Sequence, residues 1–312
     1  MGFQLPDQLM FIRNGKATQK HSEEPMVGKT CVITGATSGV GYAAAKALAA
    51  GGANIVLVAR NEDKARQVQK ELEETYSVTV GVILADFSDL NQVRRAAQQI
   101  LLQYPTIDVL INSAGMHSTK RILNQEGLEM VFCVNHLASF LLTKLLLQRM
   151  IESSPSRIIQ VNSEGHRFNG LNLKDLNWDK RFYTGLRSYG ASKTAQLLTV
   201  WQWARELQGT GVTINAMHPG GVRTNIGQNN GVLYRWFFKH VTWHFLKDPS
   251  ISGDALYYLA SAKELSKVSG KFFNLTLEEK PAKHALNSDN QQAVWSQSLR
   301  MTGFPSEDEV SV

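Results

Sequence analysis

The feature that most constrains this chain is a repeated alternation of short apolar segments with longer segments of helical periodicity. Three of the apolar segments cover residues 29–34, 54–59 and 78–84. Short β-branched runs that are apolar throughout are typical of strands buried on both faces of a parallel sheet. Parallel neighbours need a crossover, which the helical segments between them provide. The alternation therefore predicts an α/β fold, a doubly wound parallel sheet with helices on both faces.

The same alternation continues over most of the chain and sets the predicted domain boundaries. Further strands are predicted at residues 107–111, 157–161, 212–217 and 271–275, and helices at residues 62–76, 90–104, 126–151 and 254–262. A hydrophobic content of 43% is ample for one core, and no shift in composition marks a second domain. We expect an N-terminal arm at residues 1–28, a single domain at residues 29–302 and a tail at residues 303–312.

Charge and cysteine content exclude several classes of protein. The net charge of +6 is scattered, so no nucleic-acid partner is expected. Only Cys31 and Cys133 are present, both in apolar runs, which predicts buried, reduced thiols and no metal site. No uncharged apolar stretch approaches the roughly 18 residues of a spanning helix. We expect a cytoplasmic protein whose basic surface is compatible with peripheral contact with an anionic membrane.

A glycine-rich loop joins the first strand to an alanine-rich helix. Small residues in this loop let the backbone approach a phosphate, and the helix N-terminus presents unpaired N–H groups to it. The spacing Gly-x-x-x-Gly-x-Gly departs from the G-x-G-x-x-G dinucleotide fingerprint, and a tight connection without a ligand is the alternative. The strand–loop–helix context favours a nucleotide site in a Rossmann-type sheet. Its candidate residues are Gly35, Thr37, Ser38, Gly39, Val40 and Gly41.

The end of the second strand carries a basic residue. In dinucleotide-binding folds an acidic residue near this point holds the ribose 2′-hydroxyl of NAD, whereas here Ala59 and Arg60 occupy it. A guanidinium can bind a 2′-phosphate, and Lys64 can add a second positive charge. This favours NADP(H) over NAD(H). The alternative is a solvated arginine without a ligand.

Polar or small residues also follow the third and fourth predicted strands. The carboxyl ends of parallel strands meet at one edge of the sheet, where ligands of doubly wound folds bind. We therefore expect these residues to share one cofactor site with the glycine loop. They are Asp86, Phe87, Asn112, Ala114 and Gly115.

The segment Tyr189-Gly-Ala-Ser-Lys193 carries the candidate proton-transfer chemistry. On a helix, positions i and i+4 place the two side chains on one face. A phenol has an unperturbed pKa of about 10, and a nearby ammonium lowers it by favouring the phenolate. Taken alone, the pair has an alternative interpretation as an exposed helical pair.

Two further segments carry functional hypotheses. Ser163 follows the fifth predicted strand and could hold a substrate oxygen, although a structural cap is as common an explanation. Residues 231–248 are aromatic, basic and roughly amphipathic. They are predicted to form a lid-like insertion over a lipophilic substrate or a contact with a membrane interface. An ordinary packing helix is the alternative.

Together these residues resemble the short-chain dehydrogenase/reductase family, over about residues 29–302. The glycine loop, Asn112-x-Ala-Gly115, Asn135, Ser163, Tyr189-x-x-x-Lys193 and Pro219-Gly220 occur in the family's order and spacing. Within the family the chain is most similar to the retinol dehydrogenase group, through residues 58–60, 218–220 and 269–273 and Trp295. Ser113 and Asn162 depart from the family pattern without removing a reacting group.

The resemblance implies a set of roles. Tyr189 would act as general acid or base, Ser163 would hold the substrate oxygen, and Lys193 would bind the nicotinamide ribose. Asn135 would position a water that links Lys193 to solvent. Asp86 would meet the adenine, and Val222 and Thr224 would meet the nicotinamide carboxamide. Pro219 and Gly220 are further cofactor residues that the resemblance implies.

The resemblance also implies a substrate class and an assembly. The expected reaction interconverts a lipophilic alcohol with its aldehyde or ketone, of the retinoid, steroid or fatty-carbonyl class, using NADP(H). A homodimer is expected by analogy with the family. The alternative from another class is a cofactor-binding scaffold or redox sensor without significant turnover, docking a partner or a membrane through residues 231–248.

Overall fold

The computed structural model describes residue 14 and residues 17–168, 170–222 and 248–305. The strands in these residues are β1 (Thr30–Thr34), β2 (Asn54–Ala59), β3 (Val80–Leu84), β4 (Val109–Asn112), β5 (Ser156–Val161), β6 (Val212–His218), β7 (Phe272–Asn274) and β8 (Leu277–Glu278). The longer helices are α1 (Gly39–Ala50), α2 (Glu62–Tyr76), α3 (Leu90–Gln103), α4 (Met130–Glu152), α5 (Gly185–Glu206), α6 (Ser250–Ser261) and α7 (Ser288–Met301).

The eight strands form one sheet in the order β3-β2-β1-β4-β5-β6-β7-β8. Strands β1 to β7 are parallel, and β8 pairs antiparallel with β7. Strands β2 and β3 are added in turn on one side of β1, and the chain then crosses to β4 on the other side of β1. This reversal is the topological switch point of a doubly wound sheet, next to which ligands bind. The predicted α/β fold class is confirmed.

Two hydrophobic cores lie on opposite faces of the sheet. Because successive strand residues point to opposite faces, Val32 belongs to one core and Ile33 to the other. Side chains from α3, α4, α5 and α7 fill the first core, with Phe140 and Trp203 fully buried. Helices α1 and α6 cover the second, where Tyr258 is fully buried. Burial on both faces explains why the strands are apolar throughout.

Helix α4 begins four residues later than the sequence predicts. The Glu129 carboxylate caps its N-terminus, accepting hydrogen bonds from the backbone N–H groups of Val131 (3.1 Å) and Phe132 (2.8 Å). One turn, Cys133–Leu137, is a π-helix. Among the described residues this helix is long and apolar enough to span a membrane, with a mean hydropathy of 1.7, but 78% of that apolar window is buried inside the protein. Packing in the core therefore accounts for its apolar composition.

The C-terminal region, which sequence patterns left without an assignment, forms α7. Most of its residues are polar, but one face of the helix, which includes Val294, Trp295 and Leu299, is buried. Trp295 packs edge-on against Phe140 and Trp203, with ring centroids 5.2 and 4.6 Å away. Long-range packing thus stabilises a helix whose own periodicity is weak.

Candidate active site

The site lies where the carboxyl ends of β1 and β4 meet, at the switch point of the sheet. The Thr34 hydroxyl oxygen accepts hydrogen bonds from the backbone N–H groups of Ser113 (3.0 Å) and Ala114 (2.9 Å). A hydroxyl at the end of one strand therefore holds the loop that follows its neighbour. The glycine loop and the Asn112–Gly115 loop are in direct contact, as their shared sheet edge predicts.

Two glycines make the close approach of these loops possible. A Cβ at Gly35 would lie 2.9 Å from the Ala114 Cα, and the Gly35 φ of +65° is in the left-handed region. A Cβ at Gly41 would lie 2.5 Å from the Gly35 carbonyl oxygen. Both positions therefore require glycine. The loop turns tightly enough to bring its backbone, rather than side chains, to the start of α1.

The N-terminus of α1 has properties that suit an anionic ligand. Ser38 occupies the capping position, but its side chain makes no capping hydrogen bond, and the first turn holds no acidic residue. Helices α2, α3, α5 and α7 differ, since each has a side chain that caps its N-terminus. The first N–H groups of α1 are left for a ligand or solvent, and the helix dipole there favours negative charge. The residues fit the pyrophosphate of a dinucleotide.

The end of β2 presents two solvent-exposed cations. Arg60 follows the strand, and Asn61 caps α2 by accepting a hydrogen bond from the Lys64 backbone N–H at 2.8 Å. The Arg60 side chain makes no hydrogen bond or ion pair with the described residues, which leaves its donors available to a ligand.

The candidate cofactor residues after β3 and β4 differ in burial. Asp86 is partly exposed and accepts hydrogen bonds from the Ser88 backbone N–H (2.9 Å) and hydroxyl (2.8 Å). Phe87 is buried. Asn112 is buried and donates to the Thr143 hydroxyl at 3.0 Å, while its Oδ1 finds no partner among the described residues. The Asn112 side chain thus ties the loop to α4.

Ser163 and Tyr189 come together from β5 and α5. A Cβ at Gly165 would lie 3.4 Å from the Ser163 Oγ and 2.9 Å from the Tyr189 ring, so the two side chains are neighbours. Burial raises the pKa of Tyr189, and the neighbouring Ser163 hydroxyl opposes that effect. The Ser163 hydroxyl oxygen also accepts from the Gly165 backbone N–H at 3.0 Å, which caps the short 3-10 helix Glu164–Arg167. Ser163 therefore caps this short helix and also lies next to the Tyr189 phenol.

Lys193 lies one turn beyond Tyr189 on α5 and is buried. Its Nζ lies 5.8 Å from the centroid of the Tyr189 ring and donates to the Val161 carbonyl at 2.8 Å. Burial lowers the pKa of Lys193 to about 7. Burial thus disfavours the charged form of Lys193, which a negative or dipolar neighbour would favour.

Asn135 connects three parts of the site. Its side chain accepts from the Met116 backbone N–H (2.7 Å) and donates to the Met116 carbonyl (3.0 Å), which fixes the loop after β4. It also donates to the Ser192 hydroxyl (3.0 Å), which in turn donates to the Tyr189 carbonyl (2.7 Å). Asn135 lies in the π-helical turn of α4, where the regular backbone hydrogen bonding is interrupted.

The segment after β6 closes the edge of the site. The Pro219 carbonyl accepts a hydrogen bond from the Ser252 hydroxyl of α6 at 2.6 Å. Gly220 has a φ of +81°, and Val222 is buried. Thr224 and residues 231–247 lie outside the described residues, so the expected lid-like insertion has no structural account.

Two residues in contact with Tyr189, Gly165 and His117, were not among the site residues predicted from the sequence. A Cβ at Gly165 would lie 2.9 Å from the Tyr189 ring, so glycine is needed two residues after Ser163. The buried His117 ring packs edge-on against the Tyr189 ring with centroids 5.9 Å apart. Gly165 could have been found from its spacing to the strand-end serine, whereas His117 could not, because it follows a different strand.

Comparison with known proteins places this chain in a family. The family model for short chain dehydrogenase matches residues 29–232. Retinol dehydrogenase 13 from Homo sapiens is 37% identical over 288 residues, which cover 91% of this chain and 87% of the relative. Retinol dehydrogenase 14 from Homo sapiens is 37% identical over 295 residues, covering 89% and 88% of the two chains.

A solved structure extends the similarity to three dimensions. The crystal structure of an uncharacterised protein from Mycobacterium paratuberculosis superposes with a TM-score of 0.75 at 29% identity, covering 93% of this chain and 99% of that one. The chain belongs to the short-chain dehydrogenase family, whose members are oxidoreductases that bind nicotinamide cofactors.

Proposed function

We propose that this protein is an NADP(H)-dependent oxidoreductase that interconverts a lipophilic alcohol with its aldehyde or ketone. The observation that carries the proposal is the proximity of Ser163 and Tyr189, which both lie against Gly165, with the Lys193 ammonium 5.8 Å from the centroid of the tyrosine ring. A serine donor, a phenol and a buried lysine at one sheet edge can hold a carbonyl oxygen and move a proton at it.

In the reduction direction, the Ser163 hydroxyl holds the substrate oxygen and stabilises the negative charge that develops on it. Tyr189 gives its phenolic proton to that oxygen as the carbon accepts a hydride. In oxidation the phenolate takes the hydroxyl proton back. A bound nicotinamide supplies or accepts the hydride. The residues of this chain orient the substrate and carry the proton.

Lys193 serves Tyr189 through charge rather than through direct contact with its oxygen. A protonated lysine beside the phenol favours the phenolate and opposes the effect of burial. The same ammonium is available to the ribose hydroxyls of the nicotinamide nucleoside. Asn135 holds the loop after β4 and, through Ser192, the backbone of Tyr189. We propose that Asn135 also positions a water on the path from Lys193 to solvent.

The cofactor preference rests on Arg60 and Lys64. Both are exposed at the carboxyl end of β2, and neither side chain makes a hydrogen bond or ion pair with the other described residues. An acidic residue would be needed there to hold a ribose 2′-hydroxyl, and none follows β2 before Glu62. We therefore propose NADP(H) over NAD(H), with the 2′-phosphate bound by the Arg60 guanidinium.

The substrate class rests on the relatives and on apolar surface near the site. Both human relatives are named for retinol, a lipophilic alcohol. Segments that flank Ser163 and Tyr189 expose large apolar side chains: Phe168 is 76% exposed, Phe182 80% and Leu186 74%. Such surface favours an apolar ligand or a membrane over water. We propose a lipophilic carbonyl as substrate, and a cytoplasmic homodimer in peripheral contact with membranes.

A screen of NADPH consumption over aliphatic, retinoid and steroid carbonyls tests the proposal, with Tyr189→Phe as the blank. We expect turnover of at least one lipophilic carbonyl by the wild type and none above background by the blank. Tight NADPH binding without turnover of any carbonyl would instead identify a cofactor-binding scaffold. Co-sedimentation with anionic vesicles, comparing the wild type with a Phe182→Ser/Leu186→Ser variant, tests the membrane contact.

A further inference from the structure

Three side-chain amides are buried close to Lys193. Gln160 lies on β5, Asn162 follows that strand, and Gln196 lies three residues after Lys193 on α5. Each is at most 3% exposed. Buried amides cost free energy unless their hydrogen bonds are satisfied, so a cluster of three is a feature that needs a physical account.

Gln196 is the centre of this cluster. Its Oε1 accepts from the Asn162 Nδ2 at 2.8 Å and lies 3.5 Å from the Lys193 Nζ. Its Nε2 donates to the Asn135 carbonyl at 3.2 Å and to the Gln160 Oε1 at 3.1 Å. The oxygen has only donors as partners and the nitrogen only acceptors, so the orientation of the amide is unambiguous.

That orientation places a partial negative charge next to the Lys193 ammonium. Val161's carbonyl is the close acceptor at 2.8 Å, and the amide oxygen is the second, longer contact. Asn162 reinforces the arrangement, because its Nδ2 also donates to the Lys193 carbonyl at 3.0 Å. The side chain and the backbone of the lysine are therefore held by one network.

We propose that Gln196 is a positioning residue whose oriented amide holds the Lys193 ammonium in place, keeps it charged and joins it to the Asn135 carbonyl. A direct protein link thus runs between the two groups. An amide does not relay protons readily, so its role is to fix geometry and charge. The proposal rests on the function proposed above, in which Lys193 must be charged to favour the Tyr189 phenolate.

Few other titratable groups face Lys193 in the described part of the chain. Tyr189 lies on the same helix. His136 lies on α4, and burial, aided by the Lys193 charge, lowers its pKa to about 3, so it is neutral near pH 7. Neither group offers the ammonium a negative charge in the resting protein. The carbonyl of Val161 and the amide of Gln196 are therefore its stabilising partners.

The test is a direct titration of Lys193 in the full-length protein without cofactor or substrate. Carbon-13 NMR of the labelled lysine ε-carbons follows the titration, and a Lys193→Arg variant identifies the signal. Gln196→Met removes the dipole at similar volume, and Gln196→Glu replaces it with a charge. Gln202→Met is the matched control, since Gln202 is a buried glutamine on the same helix whose Nε2 bonds Glu206 instead, at 2.8 Å.

We expect the Lys193 midpoint to fall in Gln196→Met and to rise in Gln196→Glu, each by about one pH unit, a roughly tenfold change in acidity. Gln202→Met should titrate like the wild type. In alcohol oxidation the acid limb of kcat should move to higher pH in Gln196→Met, because a less charged lysine favours the phenolate less. Gln196→Asn should restore part of the wild-type profile.

Unchanged Lys193 midpoints in Gln196→Met and Gln196→Glu would overturn the proposal. Failure of every Gln196 variant to fold, while Gln202→Met folds, would also overturn it, because the role of Gln196 would then be purely structural. Should Gln196→Met alone fail to fold, the Gln196→Glu midpoint decides. The titration needs no turnover. An inactive wild type would therefore refute the proposed function without touching this inference, and unchanged midpoints in an active enzyme would do the reverse.

Discussion

The Lys193 ammonium lies over the Tyr189 ring, 5.8 Å from its centroid, and donates its short hydrogen bond to the Val161 carbonyl instead of to the phenol. The lysine therefore acts on the tyrosine at a distance. Burial raises the pKa of Tyr189, and the neighbouring Ser163 hydroxyl has the opposing effect. The phenol is protonated in the cofactor-free protein, and the positive charge of an oxidised nicotinamide would help it to ionise. In the proposed function, proton transfer would thereby be coupled to cofactor binding.

Replacing Tyr189 with Phe should abolish the chemistry and leave the cofactor site intact. Loss of a positioned general acid costs roughly 10²–10⁴-fold in rate. We expect kcat for carbonyl reduction to fall by at least that lower bound, with NADPH affinity within about threefold of wild type by fluorescence titration. Tyr258→Phe is the control, since Tyr258 lies on α6 in the second core and its hydroxyl bonds the exposed Glu264. Residual activity above a tenth of wild type would rule out the assigned role.

Reversing the charge at Arg60 should change the cofactor preference. A charge-assisted hydrogen bond contributes about 1.5–3 kcal/mol, so Arg60→Asp should raise the KM for NADPH by roughly 10–100-fold. The KM for NADH should change far less, since NADH has no 2′-phosphate. Arg66→Asp makes the same charge change on α2, where Arg66 pairs with Glu62 at 3.4 Å. Equal effects of Arg60→Asp on both cofactors would refute a 2′-phosphate contact.

A methyl group at Gly41 should distort the glycine loop. The added Cβ would lie 2.5 Å from the Gly35 carbonyl oxygen, so the loop must move away from α1. Such overpacking costs about 1–3 kcal/mol, and we expect NADPH affinity to fall about tenfold or more. In Gly170→Ala the new Cβ would meet only the His284 ring, at 3.7 Å, an ordinary contact. Wild-type affinity in Gly41→Ala would show that the cofactor does not use this loop.

The carboxyl group of Glu164, next to Ser163, should make stability depend on pH. It is buried and paired with Arg167, but burial, and then the nearby Glu279 carboxylate, raise its pKa from 4.5 to about 7. The folded state then keeps a proton that the unfolded state has lost. The free energy of unfolding therefore falls as pH rises from about 4.5 to about 7.

Glu164→Gln cannot ionise and should lose this dependence. We expect its unfolding free energy, relative to wild type, to rise by on the order of 2 kcal/mol between about pH 5 and about pH 8. Urea titrations at the two pH values measure the difference. The exposed Glu126→Gln should follow the wild type at both. A constant difference between Glu164→Gln and wild type would mean that Glu164 is ionised throughout.

Sequence periodicity was sufficient for most of the fold, because strands buried on both faces must be apolar throughout. It failed where long-range packing decides local structure. Helix α7 forms because Trp295 packs against Phe140 and Trp203, which lie far away in the chain. The late start of α4 depends on the Glu129 cap, which the Tyr183 hydroxyl also contacts at 3.1 Å.

The sequence by itself determined which residues are candidates for the chemistry of this chain. Strand-end positions and the i, i+4 spacing on one helix are local properties, so Ser163, Tyr189, Lys193 and the glycine loop could be singled out without coordinates. Only the tertiary structure decided what surrounds them. The network of Gln160, Asn162 and Gln196 close to Lys193 joins a strand, a loop and two helices. No sequence pattern encodes such contacts, because they depend on how the elements pack and not on their order in the chain.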